Sequence, residues 1–128
     1  MSRVKSKNTG PEILVRKFIF SKGMRYSLHD SKLPGCPDII LRKYNTVLQV
    51  RGCFWHKHKC KQWKSPKTRK TYWENKLNQN VRRDANNDMK IRKMGWNLIV
   101  LWECEVKKSN FFQIKGNKMI MLIKKNIK

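Results

Sequence analysis

Residues 38–50 read DIILRKYNTVLQV, two short apolar runs on either side of the polar tetrapeptide Arg-Lys-Tyr-Asn. Runs of this length, rich in Ile, Leu and Val and bounded by turn formers, are strand signals. The stretch predicts a β-hairpin with strands near Asp38 to Leu41 and Thr46 to Val50. The second of these, TVLQV, reads as a buried strand and leads directly into GCFWHKHKC, residues 52–60, which packs two cysteines, two histidines and the pair Phe54-Trp55 into nine positions.

Upstream of the hairpin, Thr9 stands three residues before Glu12 in a Thr-x-x-Glu capping box with Pro11 in the first turn. A helix is expected from about Gly10 to Lys22, with Ile13, Leu14, Val15, Phe18 and Ile19 as a broad buried stripe and Gly23 as its stop. The turn-rich segment HDSKLPGCPD, residues 29–38, connects it to the hairpin. Downstream, KQWKSPKTRK at 61–70 reads as an exposed basic loop. From Thr71 the apolar positions Trp73, Leu77, Val81, Ile91 and Met94 recur at helical spacing, Asp84 and Asp88 occupy the other steps of the same inward stripe, and Gly95 closes the helix. WNLIVLW at 96–102 is then a third strand, buried on both faces, that runs into Glu103-Cys104. The tail from Ser109 to Lys128 contains MIMLI and is expected to end as a helix against the sheet. The pattern helix, hairpin, helix, strand, helix describes a small α/β or α+β sandwich with a mixed sheet, one domain over residues 1–128.

Thirty-one Lys and Arg against eight Asp and Glu give a formal net charge of +23. That imbalance exceeds what solubility requires and points to a polyanion, foremost nucleic acid, although a lysine-rich proteome would raise the same signal. No run approaches the ~20 apolar residues of a membrane span, and no signal-peptide pattern opens the chain. A cytoplasmic protein is expected, with reduced cysteines that serve as ligands, core residues or thiols rather than disulfides.

Cys53, Cys60 and Cys104, with a histidine from between the first two, make a candidate tetrahedral zinc site. Both Cys53-x₂-His56-x₃-Cys60 and Cys53-x₄-His58-x-Cys60 have workable spacing, so one histidine is left over and spacing does not say which. The competing reading has Cys104 simply finishing a buried strand. Cys36, between Gly35 and Pro37, is a bystander in a turn.

Eight acidic residues are few enough to weigh singly. Glu12 has a sufficient role as a helix cap. Asp38 sits where a strand begins, and Asp84 lies on the inward face of a helix, where a carboxylate needs a cation, a hydrogen-bonding partner or a metal. Each has a salt bridge to lysine as its plain alternative, yet with a spare histidine they resemble a site for Mg²⁺-assisted phosphodiester hydrolysis. Asp30, Glu74, Asp88, Glu103 and Glu105 are read as solvated or ion-paired. Phe54, Trp55 and Trp73 are either core and rim aromatics or wedges that enter a base stack.

Taken in order, LPGCPDIIL at 33–41, GCFWHKHKC at 52–60, TRKTYWENKLNQNVRRD at 68–84 and GWNLIVLWEC at 95–104 resemble the very short patch repair endonucleases. These are bacterial mismatch nickases built on the fold of type II restriction enzymes, and the resemblance runs from Met1 to about Lys107. It implies a restriction-endonuclease-like mixed sheet flanked by helices, with a structural zinc. It further implies that Asp38 and the main-chain carbonyl of Val50 hold catalytic Mg²⁺, with Glu12 acting through water. His56 would be the catalytic histidine, oriented by Asp84, which leaves His58 to join Cys53, Cys60 and Cys104 on zinc. Phe54, Trp55 and Trp73 would wedge into DNA beside a mispair, with Met1 entering from the other groove. The implied product is a nick 5′ to the thymine of a T·G mismatch in double-stranded DNA, made by a monomer.

Three departures qualify the likeness. Relatives usually carry a histidine where Arg51 stands. Gln49-Val50-Arg51 lines up instead with the Glu-x-Lys half of the wider restriction-nuclease pattern, which gives Gln49 an amide oxygen for the metal and Arg51 a contact to the scissile phosphate. The chain also begins where relatives have an upstream arm. Two other functions fit the same residues: a restriction-like nuclease with another site preference, and a catalytically weak, zinc-containing DNA-binding module.

Overall fold

Ile39 and Leu41 point to one face of the sheet and Ile40 to the other, all three fully buried, because side chains alternate along a strand and both faces here are covered. The structure, a computed structural model, describes residues 10–53 and 67–125. Among these residues four strands form one sheet in the order β1 (Ser27–Leu28), β2 (Ile39–Leu41), β3 (Thr46–Arg51) and β4 (Asn97–Trp102). The first two pairings are antiparallel and β3·β4 is parallel, so the expected mixed sheet is present.

The hairpin forms where residues 38–50 predict it. Its link is a 3₁₀ turn, Arg42–Tyr44, closed by Asn45 in the left-handed region at φ 52°, a conformation asparagine tolerates better than most residues. Asn45 also clips the turn to β4, accepting the Asn97 N–H at 2.9 Å and donating its side-chain amide to the Gly95 carbonyl at 2.6 Å.

Helix α1 (Gly10–Ser21) and α4 (Asn117–Lys125) cover one face: Val15, Ile19, Met119, Ile120 and Ile123 pack with Ile39, Leu41, Leu48 and Leu101. Helix α2 (Lys70–Lys93) lies on the other, where Ile91 joins Leu33, Ile40 and Val47. At about 1.5–3 kcal/mol for each fully buried aliphatic side chain, these two layers hold the sheet in place. The tail thus ends as a helix against the sheet, after a π-type turn at Phe112–Gly116, as its MIMLI patch suggests. A one-turn α3 (Glu103–Val106) follows β4.

Both predicted glycine stops operate. Gly23 at φ 79° and Gly95 at φ 94° end α1 and α2, and the bonds Met24 N–H to Ile19 O and Trp96 N–H to Ile91 O close each end in the Schellman manner.

Several expectations are corrected. The inward stripe of α1 is Glu12, Val15 and Ile19, and Leu14 is 45% exposed. On α2 the buried residues are Leu77, Asn80 and Ile91; at about 100° per residue Val81 and Met94 fall on the flanks of that stripe and are exposed. Among the described residues strand β4 is an edge strand, and it is mostly half-buried, not sealed on both faces. The turn-rich stretch is preceded by strand β1, too short to show a period. Met1, Thr9, Phe54, Trp55, His56, His58 and Cys60, with most of the basic loop, lie outside the described residues. No helix among the described residues is long and apolar enough to cross a membrane.

Candidate active site

The start of β2 and the ends of β1, β3 and β4 meet at one end of the sheet, and the buried Arg51 lies there, at the end of β3, whereas the buried Thr46 sits at the opposite end. Asp38 immediately precedes β2. Its Oδ2 accepts the main-chain N–H of Val50 at 2.7 Å, so a carboxylate continues the β2·β3 ladder past its last backbone pair. On the other side of β2, the N–H of His29 donates to the Asp38 carbonyl at 3.4 Å, one residue beyond the pair Leu28↔Ile39.

Glu12 arrives from α1. It shares the inward stripe with Val15 and Ile19, and only 1% of it is exposed. Its Oε2 pairs with Arg16 one turn along the helix and lies 3.0 Å from His29 Nε2. Its carboxylate is thus shared between Arg16 of its own helix and His29 at the end of the sheet, beyond the capping role that its sequence context suggests. One donor atom each from Glu12, His29 and Asp38 can be chosen so that all lie within 4.8 Å of one another.

Two carboxyl groups this close and this dry oppose each other's ionisation. Burial above all, and then the Glu12 carboxylate, push the Asp38 carboxyl up to about 7 against the opposing Val50 N–H bond and the Arg51 charge. A divalent cation among these groups would relieve the same opposition, and carboxylate oxygens with an imidazole nitrogen are donors such an ion accepts.

Gln49 and Arg51 both turn toward α2. The Gln49 side-chain amide donates to the Gly35 carbonyl at 3.3 Å, anchoring it on the turn that carries Asp38. That turn is tight: Gly35 has φ 78°, and a Cβ there would meet the Cβ of Asn87 at 3.2 Å. Arg51, 9% exposed, pairs through Nη2 with Asp88 Oδ1 at 2.6 Å. Asp88 is thus ion-paired as expected, but with a residue of the site.

Asp88→Ala leaves the Arg51 guanidinium buried without that carboxylate and is expected to cost about 3 kcal/mol of stability, since breaking a buried pair strands the surviving charge. Arg51→Met with Asp88→Leu removes both and should cost under about 1 kcal/mol. Urea unfolding of the two proteins checks this, and equal losses would show that the pair is not what matters.

Among the other predicted site residues, Asp84 is half-buried on the sheet-facing side of α2 and Trp73 is half-buried in its first turns, edge-on to Tyr72 at 5.3 Å between ring centres. Cys53 and Cys104 follow the last parallel pair, Arg51↔Trp102, by two residues each, so they leave the sheet at the same end on adjacent strands. Cys36, at φ 45°, donates its N–H to the Leu33 carbonyl as part of the turn.

His29 is the residue that sequence reasoning missed, having taken it only as the first position of a turn-rich segment. Its signal was weak: YSLH shows too little alternation to mark a strand, and only the β1·β2 pairing sets position 29 beside position 38.

The family model "DNA mismatch endonuclease Vsr" matches residues 1–62 of the chain. Among curated relatives, a protein named type II nicking enzyme V.NmeAIP, from Neisseria meningitidis serogroup A, is 41% identical over 124 residues, 97% of this chain and 89% of the relative. Type II nicking enzyme V.XorIIP of Xanthomonas oryzae pv. oryzae is 43% identical over 106 residues, covering 83% and 78% of the two chains. DNA mismatch endonuclease Vsr of Escherichia coli is 32% identical over 107 residues, covering 84% and 69%.

Proposed function

The chain belongs to the DNA mismatch endonuclease Vsr family, and on that premise we propose that it nicks duplex DNA on the 5′ side of the thymine in a T·G mispair, using Mg²⁺. The observation that carries this reading is the meeting of the Asp38 and Glu12 carboxyl groups beside the main chain of Val50, at the end of a mixed sheet.

Asp38 and the Val50 carbonyl would hold the cation, with Glu12 acting through water. When bound there, Mg²⁺ supplies positive charge at the phosphate under attack and makes its water a better nucleophile. His56 would move the proton at its imidazole, and Asp84 would orient that ring and stabilise its charged form. Arg51, tethered by Asp88, would face the scissile phosphate, and Gln49 would turn its amide oxygen to the ion. Phe54, Trp55 and Trp73 would enter the base stack beside the mispair, with Met1 opposite them. Cys53, His58, Cys60 and Cys104 would clasp a structural zinc; the common exit of Cys53 and Cys104 from adjacent strands supports that set. The net charge of +23 supplies the sequence-independent attraction to the phosphate backbone.

A nicking assay on T·G and matched duplexes, with Mg²⁺ and with EDTA, tests the reading. One broken strand in the mismatched duplex, only with Mg²⁺, is expected. Equal cutting of matched DNA would favour a nuclease of another specificity, and binding without cutting a DNA-binding module.

A pH dependence follows from Asp38. Its carboxyl is raised from 3.8 to about 7 in the folded chain, so the cation-free protein binds its proton more tightly than the unfolded chain does. The stability this gives is complete below about 4 and is lost as pH rises through about 7. A bound divalent ion replaces that proton. The rise in melting temperature on adding Mg²⁺ should therefore be larger at pH 8 than at pH 6, and thermal scans showing the reverse order would contradict the assignment.

A further inference from the structure

We propose that His29 offers its imidazole nitrogen to the same ion that Asp38 and the Val50 carbonyl would hold, with Glu12 acting through water, giving this site a mixed nitrogen and oxygen donor set that favours Mn²⁺ over Mg²⁺. The proposal rests on the ion site proposed above and adds a ligand to it.

Three features of the geometry support it. One donor atom each from Glu12, His29 and Asp38 can be chosen so that all fall within 4.8 Å of one another, which sets the His29 ring beside an ion held by Asp38. The ring turns its Nε2 toward the Glu12 carboxylate at 3.0 Å and is held near the site by the main-chain bond from His29 to Asp38. Glu12 is also paired with Arg16, so its charge keeps a partner when His29 turns to an ion. The side chains are largely shielded, 13% exposed for His29 and 2% for Glu12, which limits competition from bulk water.

The chemistry follows from the donor types. Mg²⁺ is hard, prefers oxygen and keeps its waters, so a nearby imidazole adds little to its binding. Mn²⁺, although low in the divalent transition series, accepts imidazole with carboxylates. A purely oxygen site would discriminate less between the two ions.

The test is a Mn²⁺ titration of the full chain followed by the electron paramagnetic resonance signal of free Mn²⁺, with Mg²⁺ affinity read by competition. Mn²⁺ is a poor competitor for a thiolate-rich zinc site, so such a site stays silent. Two variants are compared with the native chain: His29→Gln, whose amide can still donate to Glu12, and His29→Asn, which tolerates the φ of 46° at this position. Both should weaken Mn²⁺ binding about tenfold and Mg²⁺ binding by less than about threefold. Native Mn²⁺ affinity in either variant, or equal losses for the two ions, would overturn the proposal and leave His29 as a prop for Glu12. Asp38→Ala separates the two levels. Loss of both ions in that protein upholds the site itself whatever His29 does, whereas native binding of both ions removes the site and the proposal together.

Discussion

Asp38→Ala is expected to lower the rate of T·G nicking by a factor on the order of 10³ or more, because it removes the carboxylate that would hold the cation offsetting the developing phosphate charge. Affinity for the mismatched duplex should change by less than about threefold, since backbone attraction comes from the many surface cations. The fold should survive as well. The substitution leaves the Val50 N–H without its carboxylate acceptor, a cost of about 1–3 kcal/mol, but it also removes a desolvated carboxyl that faces Glu12. The two changes oppose each other. Single-turnover nicking, gel-shift binding and thermal unfolding on the same preparation check all three statements. A variant that nicks at the native rate would take Asp38 out of the mechanism.

Cys104→Ser carries the second large effect. Cys104 leaves β4 at the same end of the sheet where the buried Cys53 leaves β3. If both thiolates bind one structural zinc with His58 and Cys60, the metal joins the parallel strands to the segment between β3 and α2. Metal binding free energy is then folding free energy. Serine, a poor zinc ligand, should bring metal content from one zinc per chain to nearly none and lower the melting temperature by about 10 °C or more. Elemental analysis and thermal scans measure both. A zinc-free native protein, or a variant with unchanged metal content and melting temperature, would return Cys104 to an ordinary core role.

Several parts of the site were legible in the chain before folding. Asp38 was marked by its place between a proline-bearing turn and an apolar run, and it does stand immediately before β2. Glu12 was suspected, yet its sequence context explained it equally well as a cap. Its place on the stripe with Val15 and Ile19 is what turns it toward Asp38. Asp88 was placed on the inward stripe of its helix and read only as solvated or ion-paired. Its partner Arg51 is 37 positions away, and the two meet only because α2 lies across the face to which Gln49 and Arg51 point. The misplacement of Val81 and Met94 has a related origin: their spacing is helical, but the buried stripe runs through Leu77, Asn80 and Ile91, a choice made by the sheet beneath.

By itself, the sequence determined the local features: the hairpin of residues 38–50, the helix ends at Gly23 and Gly95, the amphipathic tail and the strongly basic surface. These depend on side-chain period, turn chemistry and charge, all written within a few consecutive residues. The tertiary structure alone decided which polar groups share the end of the sheet: His29 beside Asp38, Glu12 between Arg16 and His29, and Arg51 against Asp88. Such partners are set by strand register and by the layer of helix that covers each face, and neither leaves a mark on the residues that will meet.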